Sequence, residues 1–357
     1  MIPPNLNGLL LGGLATPPPI DEHLDAGPVL TAWLNECPDG TTVDCRDRRF
    51  TLDTPWHIAE RHLTVIGGTF HLRGDGTQAS KPAWLEDKLW PRERAALFAE
   101  RSTLRCFGTS VIGDNLVGLQ STQAVEEQSG FELRASSAVL TRCSVGSVFG
   151  GGVTITHTDD RVPSVRVHIE DLHVTRVGRN AIALTDGTDV RVEGLSAIAC
   201  GRSVINLEPA VATWRAQRVQ VHGVRVENCS FPVLASQGQG TLVSDVEVSD
   251  VVGIRQAVRA TVQTPRGIGR RSRFRLSNWS STTANGGQAL FRFRGIDDLT
   301  IDGCSIPLTP ERPSAKWTGR GVELEDCTNW DVDPVQFYLG SSTRPGDGPI
   351  VPIFEVP

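Results

Sequence analysis

The chain has 357 residues, with 35 Lys and Arg against 41 Asp and Glu, a formal net charge of −6. That balance excludes a general nucleic-acid coat, and no apolar run approaches the roughly 18–20 residues of a membrane span, so neither a nucleic-acid partner nor membrane insertion is expected. Gly at 36 and Pro at 22 residues imply many turns without the low complexity of a disordered chain.

Residues 1–24 read as an extended N-terminal arm, with Pro17, Pro18 and Pro19 in succession and no Lys or Arg before Ala15 to open a secretory signal. Pro28 to Cys37 places Val29, Leu30, Trp33 and Leu34 on one side of a short helix. Such a helix would cap a solenoid, whose first rung otherwise exposes apolar core and unpaired edge groups. Strands are predicted at Thr42–Cys45, Phe50–Leu52, His57–Ile58 and Leu63–Ile66. An insertion over 77–102 carries Trp84, Trp90 and Phe98, and Pro91–Glu100 suits a short helix with Pro in its first turn. Strand and turn resume at Arg101–Phe107 and Val111–Asn115.

From Ala138 onward the pattern apolar-x-apolar-x-x-Cys recurs, ending at Cys143, Cys200, Cys229, Cys304 and Cys327. Val177, Val251 and Trp279 fill the same sixth position in the remaining repeats, which follow at intervals of about 25 residues. Period-two pairs precede each repeat, as at Val190/Val192 and Val219/Val221, and a third strand follows, as at Ala181–Leu184 and Val204–Leu207. Three short strands per rung bury their apolar faces only by coiling and stacking at the ~4.8 Å strand spacing. The predicted fold is therefore all-β, a single-stranded right-handed parallel β-helix over residues 25–340. It has an N-terminal capping helix and extended terminal arms, the second at 341–357 with Pro345, Pro349, Pro352 and Pro357. The column pattern does not fix the hand; it is given by the usual right-handed crossover between parallel strands together with a family resemblance. There is no Cys-x-x-Cys pair, and stacked cysteines such as Cys200 over Cys229 would point the same way, a poor disulfide orientation. The eight cysteines are expected to be packing residues, with no metal and no cofactor.

With Asp25-Ala-Gly and the capping helix, Pro38-Asp-Gly-Thr-Thr-Val43, Arg61-His-Leu-Thr-Val-Ile-Gly-Gly68 and the tandem rungs, the chain resembles the pectate-lyase-like superfamily of β-helix proteins from Leu24 to Leu339. Bacteriophage tailspikes and tail-associated proteins are among its members. The resemblance implies a virion protein, made in the host cytoplasm without a signal peptide, that binds host cell-surface polysaccharide; whether it also degrades it, as a lyase or glycoside hydrolase, the resemblance leaves open. Other tail subunits would be its partners, and flat repeating faces suit a homotrimer. A free polysaccharide lyase, hydrolase or epimerase is the alternative, as is a purely structural particle protein. The chain departs from two relatives: it lacks the Asp-rich strand cluster of calcium-dependent pectate lyases, and only Asp159-Asp160 matches the residue set of galacturonan hydrolases.

Four carboxylates qualify as catalytic candidates: Asp159, Asp160, Asp186 and Glu208. Asp186 and Glu208 follow the third strands of consecutive rungs, an arrangement compatible with acid and base roles in glycoside cleavage. Asp186 in Thr185-Asp-Gly-Thr188 also suits a simple turn. His157, Arg179, Arg202, Trp84 and Trp90 are the candidate substrate contacts. The two arginines should stack and would grip an acidic sugar, or else satisfy nearby carbonyls and carboxylates. Trp279 belongs to the core column and is set aside. Charged residues on the column strands, among them Glu227, Glu247, Asp302, Glu323, Glu325, Arg225 and Arg275, read as a solvated face or as intersubunit ion-pair partners.

Overall fold

A computed structural model describes residues 13–74, 95–116, 128–229, 231–240, 242–265, 269–282, 290–308, 322–333, 336–339 and 354–356. The fold is an all-β parallel β-helix. Its residues group into two compact units, Met1–Asn180 and Ala181–Pro357.

The first unit opens with a docked segment. Leu14 and Ala15 pair in parallel with Thr42 and Val43, and the Arg48 guanidinium donates to the Pro17 and Pro18 carbonyls at 3.0 and 2.7 Å. This part of the expected arm is therefore held against the first rung. The helix runs Ala26–Glu36, with Asp25 as its N-cap. The Asp25 carboxylate accepts from the amides of Gly27, Asp53 and Thr54 and from the Thr54 hydroxyl, so one side chain both starts the helix and ties it to the rung. At the other end Arg61 donates to the carbonyls of Leu34 and Cys37. Ala26, Gly27, Leu30 and Leu34 are buried. Val29, expected on the buried side, is 40% exposed, because the helix rolls onto the line at 26, 30 and 34.

Each rung of this unit adds a short strand parallel to the last: Trp56–Ala59, Leu97–Glu100, Phe131–Arg134 and Val153–Thr156 stack in that order. The helix expected at Pro91–Glu100 is thus wrong where the chain is described, since Leu97–Glu100 is a strand paired on both sides. Leu97 and Ala99 point inward and are fully buried, and two ladders of hydrogen bonds outweigh the local helix propensity.

In the second unit the long strands are bent at fixed intervals. Left-handed φ angles fall at Asp189, Gly194 and Ala199, at Arg218, Gly223 and Asn228, and at Asp245, Asp250 and Arg255, five residues apart within each rung. Between these corners the chain runs in-out-in-out, so Val190, Val192, Leu195, Ala197 and Cys200 all reach the core. Every corner restores the inward direction that strict alternation would lose.

This five-residue unit corrects the expected ladder. All eight of its residues are buried, but they do not form one vertical line. Val219 pairs with Val246, Val224 with Val251, and Val251 with Trp279. Val251 therefore stacks on Val224 and not on Cys229, which faces Gln256 through a bond from its amide to the Gln256 side-chain carbonyl. Cys304 falls in the Val251–Trp279 line, because Ser280 pairs with Ser305. Cys327 falls level with Ile296, since Leu299 pairs with Trp330. In the first unit Val145 pairs with Val174, which places Cys143 level with Leu172, one unit of five before Val177. Cys200 over Cys229 remains vertical. The cause is degeneracy: a slip of five residues lays inward residues on inward residues, so the apolar pattern alone does not distinguish the two alignments.

Near the C-terminus, Gln336–Leu339 pairs with Ser305–Leu308 and Phe354–Val356 with Glu323–Glu325, so part of the expected extended tail is strand. All eight cysteines are free. Among the described residues no helix is long and apolar enough to cross a membrane.

Candidate functional site

In the first unit the short strands present an outward row that the core does not use. Trp56/Ile58, Leu97/Ala99, Phe131/Leu133 and Val153/Ile155 are fully buried inward pairs. The residues between them, His57, Phe98, Glu132 and Thr154, are register neighbours on the opposite side. Two positions on, Ala59, Glu100, Arg134 and Thr156 form a second row.

These rows interlock on the diagonal. The His57 ring stacks on Phe98 with centroids 4.8 Å apart, and its Nε2 lies 3.2 Å from the Glu100 carboxylate. On the other side of Phe98 the Arg134 guanidinium sits 4.9 Å from the ring centroid and donates from Nε to Glu132 at 2.6 Å. Phe98 is thus a spacer that fixes one cation-forming group on each flank. The Glu132 side chain is only 4% exposed, and the bond from Arg134 supplies the compensation that a buried carboxylate needs. Glu100 and His57 remain open, at 32% and 40%. Strands ~4.8 Å apart that rise ~3.3 Å per residue place Glu100 and Glu132 about 8 Å apart at Cα.

The same strand ends carry three residues singled out in the sequence. His157 follows Thr156, its Nδ1 3.3 Å from the Thr156 hydroxyl. Asp160 takes Arg101 Nη2 at 2.6 Å and the Thr158 hydroxyl, and Arg101 holds its carboxyl below the usual range. Asp159 is exposed. Arg101 in turn donates its amide to the Arg134 carbonyl at 2.9 Å, so the Asp160 pair borders the outward rows. Arg179 is half-buried, its amide on the Gly150 carbonyl. Trp84 and Trp90 lie outside the described residues.

In the second unit Asp186 is 1% exposed; its carboxylate accepts from the Arg215 amide at 3.1 Å, with Arg215 Nε at 3.5 Å. Glu208 accepts from the Asn206 side-chain Nδ2 at 2.6 Å. Ile182–Leu184 pairs with Ile205–Leu207, and the Glu208 amide donates to the Leu184 carbonyl. The two carboxylates therefore sit at neighbouring strand ends with different partners. Arg202 is half-buried. On the bent strands Arg218 grips Asp189, and Arg273 grips Asp245, lining a cleft of about 500 Å³ with Arg191, Gln220, Glu247 and Arg275. Arg275 reaches Asp302 at 3.1 Å and Arg292 reaches Glu323 at 3.1 Å, ion pairs within the chain.

His57, Glu100, Glu132 and Arg134 were missed in the sequence. Their signal was the alternation in Phe98-Ala-Glu100 and Phe131-Glu-Leu-Arg134, hidden by reading Pro91–Glu100 as helix and by beginning the repeat at Ala138. Among the described residues no three His, Cys, Asp or Glu side chains gather as metal ligands.

No protein-family model and no curated protein matches the chain. Solved structures resemble it in fold. A Yersinia enterocolitica family 28 exopolygalacturonase is 12% identical with a TM-score of 0.59, over 93% of this chain and 79% of that one. An Aspergillus tubingensis endo-xylogalacturonan hydrolase is 11% identical with a TM-score of 0.57, over 96% and 99%. A polygalacturonase from Erwinia carotovora is 11% identical with a TM-score of 0.51, over 95% and 96%. At these identities the likeness is one of fold, a parallel β-helix.

Proposed function

We propose that the protein binds an acidic glycan and hydrolyses it on the outward rows of the first unit. The observation that carries this reading is the pair Glu100 and Glu132, one strand and two residues apart. At about 8 Å between Cα atoms, the two side chains leave room for an acid and a base with a water between them. Glu100, beside His57, donates a proton to the leaving glycosidic oxygen. Glu132, now paired with Arg134, takes a proton from the attacking water once a sugar carboxylate draws Arg134 away from it. Support for a glycan substrate comes from the scaffold shared with three galacturonan hydrolases, although the chain keeps only Asp159-Asp160 of the residues expected of such enzymes.

A β-elimination is favoured by a different observation, an Arg and a His on opposite flanks of one ring: Arg134 would hold the uronate carboxylate of a sugar laid across Phe98 while His57 abstracts the proton from the ring carbon. Purified chain incubated with polygalacturonate and with bacterial surface polysaccharides separates the two, since hydrolysis yields reducing ends without unsaturated uronate. Glu100→Gln and Glu132→Gln should each lower the hydrolytic rate by about 10²-fold or more. Cleavage unchanged in both variants would refute the site. Glycan retained without cleavage would leave a binding protein. The finer reading, a tail-associated homotrimer that meets host-surface glycan as part of a virion, rests on the sequence resemblance. Mass measurement in solution and imaging of particles for this chain test it, and a monomer absent from particles would remove it.

A further inference from the structure

Cys200 and Cys229 occupy the same position on neighbouring rungs of the second unit. Ala197 pairs with Val226 and Ile198 with Glu227, and the Ala199 amide donates to the Glu227 carbonyl at 2.8 Å, which brings the two cysteines level just beyond the paired strands. Neighbouring parallel strands hold such residues about 4.8 Å apart at Cα, inside the 4.4–6.8 Å span typical of disulfides. The side chains also converge. Cys229 Sγ accepts the Cys200 backbone N–H at 3.3 Å and donates toward the Ala197 carbonyl, on the strand that leads to Cys200, at 3.7 Å. Cys229 therefore leans along the stack toward Cys200, which removes the objection that stacked cysteines point in parallel. By contrast, Cys143 turns its thiol to the Cys106 carbonyl, and these two are out of register because Cys106 pairs with Leu140.

We infer that Cys200 and Cys229 are a modification site, closing into an intrachain disulfide that clips two rungs when the protein meets a low-molecular-weight disulfide. The Cys229 thiol is the first nucleophile: the neighbouring Cys200 side chain holds it below its ordinary value, while the Cys229 side chain and burial push Cys200 well above. The Cys229 thiolate attacks one sulfur of the reagent and expels the other as a thiolate. Cys200, giving up its proton, then attacks Cys229 Sγ and expels the second reagent thiolate. Two protein thiols are oxidised, one reagent disulfide is reduced, and the two protons end on the reagent thiols. The next residue back from Cys229, Asn228, is exposed, so the nucleophile lies just beneath the surface.

The test treats the folded full chain with 2-hydroxyethyl disulfide, alkylates remaining thiols after denaturation, and maps the tryptic peptides; Arg202, Arg215, Arg218 and Arg225 lie between the two cysteines, so they separate unless linked. The expected product is one linked pair, Cys200 to Cys229, lighter by two hydrogens, with every other cysteine alkylated and the link reversed by reductant. Cys200→Ser should stop at the mixed disulfide on Cys229, and Cys106→Ser should leave the link intact. Full alkylation of all eight cysteines, a Cys106–Cys143 link, or a link between chains would each overturn the assignment.

Discussion

Asp25 carries more of the first unit's N-terminal end than a single cap usually does, and Asp25→Ala measures how much. The carboxylate accepts from Gly27 N at 3.1 Å, Asp53 N at 3.0 Å and the Thr54 hydroxyl at 2.8 Å, with Thr54 N at 3.3 Å. Loss of the cap costs about 1 kcal/mol. The bonds to residues 53 and 54 involve a charged acceptor in a partly buried setting, and about 1 kcal/mol for each of the two shorter ones is a conservative value. The expected loss is thus about 3 kcal/mol. Asp25→Asn should cost under half of that, because one carboxamide oxygen still serves the helix amide or the strand amides. Gly27→Ala provides a comparison by packing alone, since an added Cβ would lie 2.4 Å from the Thr54 carbonyl. A stacked protein need not unfold in one step, so the assay is amide hydrogen exchange resolved by segment, supported by urea denaturation. Asp25→Ala and Gly27→Ala should both speed exchange across Ala26–Glu36 and leave the strands of the second unit unchanged. Exchange at the helix within about 0.5 kcal/mol of the parent in Asp25→Ala would refute the reasoning, since a structural cap of this kind cannot be worth so little.

Two further outcomes follow from the corners of the second unit. Ala199 has φ of 55°, a conformation that costs an L-residue about 1–2 kcal/mol. Ala199→Gly should therefore match or exceed the parent in urea stability after the entropic cost of glycine, and Ala199→Val should fall below it; equal stability of the Gly and Val proteins would show that the corner is not strained. Asp245 has its carboxyl held below the ordinary value chiefly by the hydrogen bonds from Arg273. A depressed carboxyl contributes its stability above the unfolded value near 3.9 and loses it as pH falls through the folded value. Arg273→Gln should lower stability slightly at pH 7, as suits a half-exposed pair, and the loss should shrink as the pH falls through the folded value of Asp245. A loss of equal size above and below that value would mean that Arg273 acts through packing.

The period-two apolar pairs, the recurring sixth position and the helix before the first strand were enough to read a parallel β-helix from the amino acids alone, because each apolar face must be buried whatever the register. Single residues show where that reasoning stops. Val251 matches Cys229 as well as it matches Val224 in sequence, and only hydrogen-bonded pairing across rungs, set by where the left-handed corners fall, chose Val224. Leu97–Glu100 has a helix-forming composition, yet the strands on either side of it had room for one more, and long-range pairing outweighed local preference. The candidate site was lost with that assignment: His57, Glu100 and Glu132 are far apart in the chain and carry no motif, and they become neighbours only when three short strands stack in register. Burial depends on composition and period, which a sequence records. Registration of distant strands depends on bonds between backbones whose partners the sequence does not name, and in this protein that registration decided which polar side chains share a face.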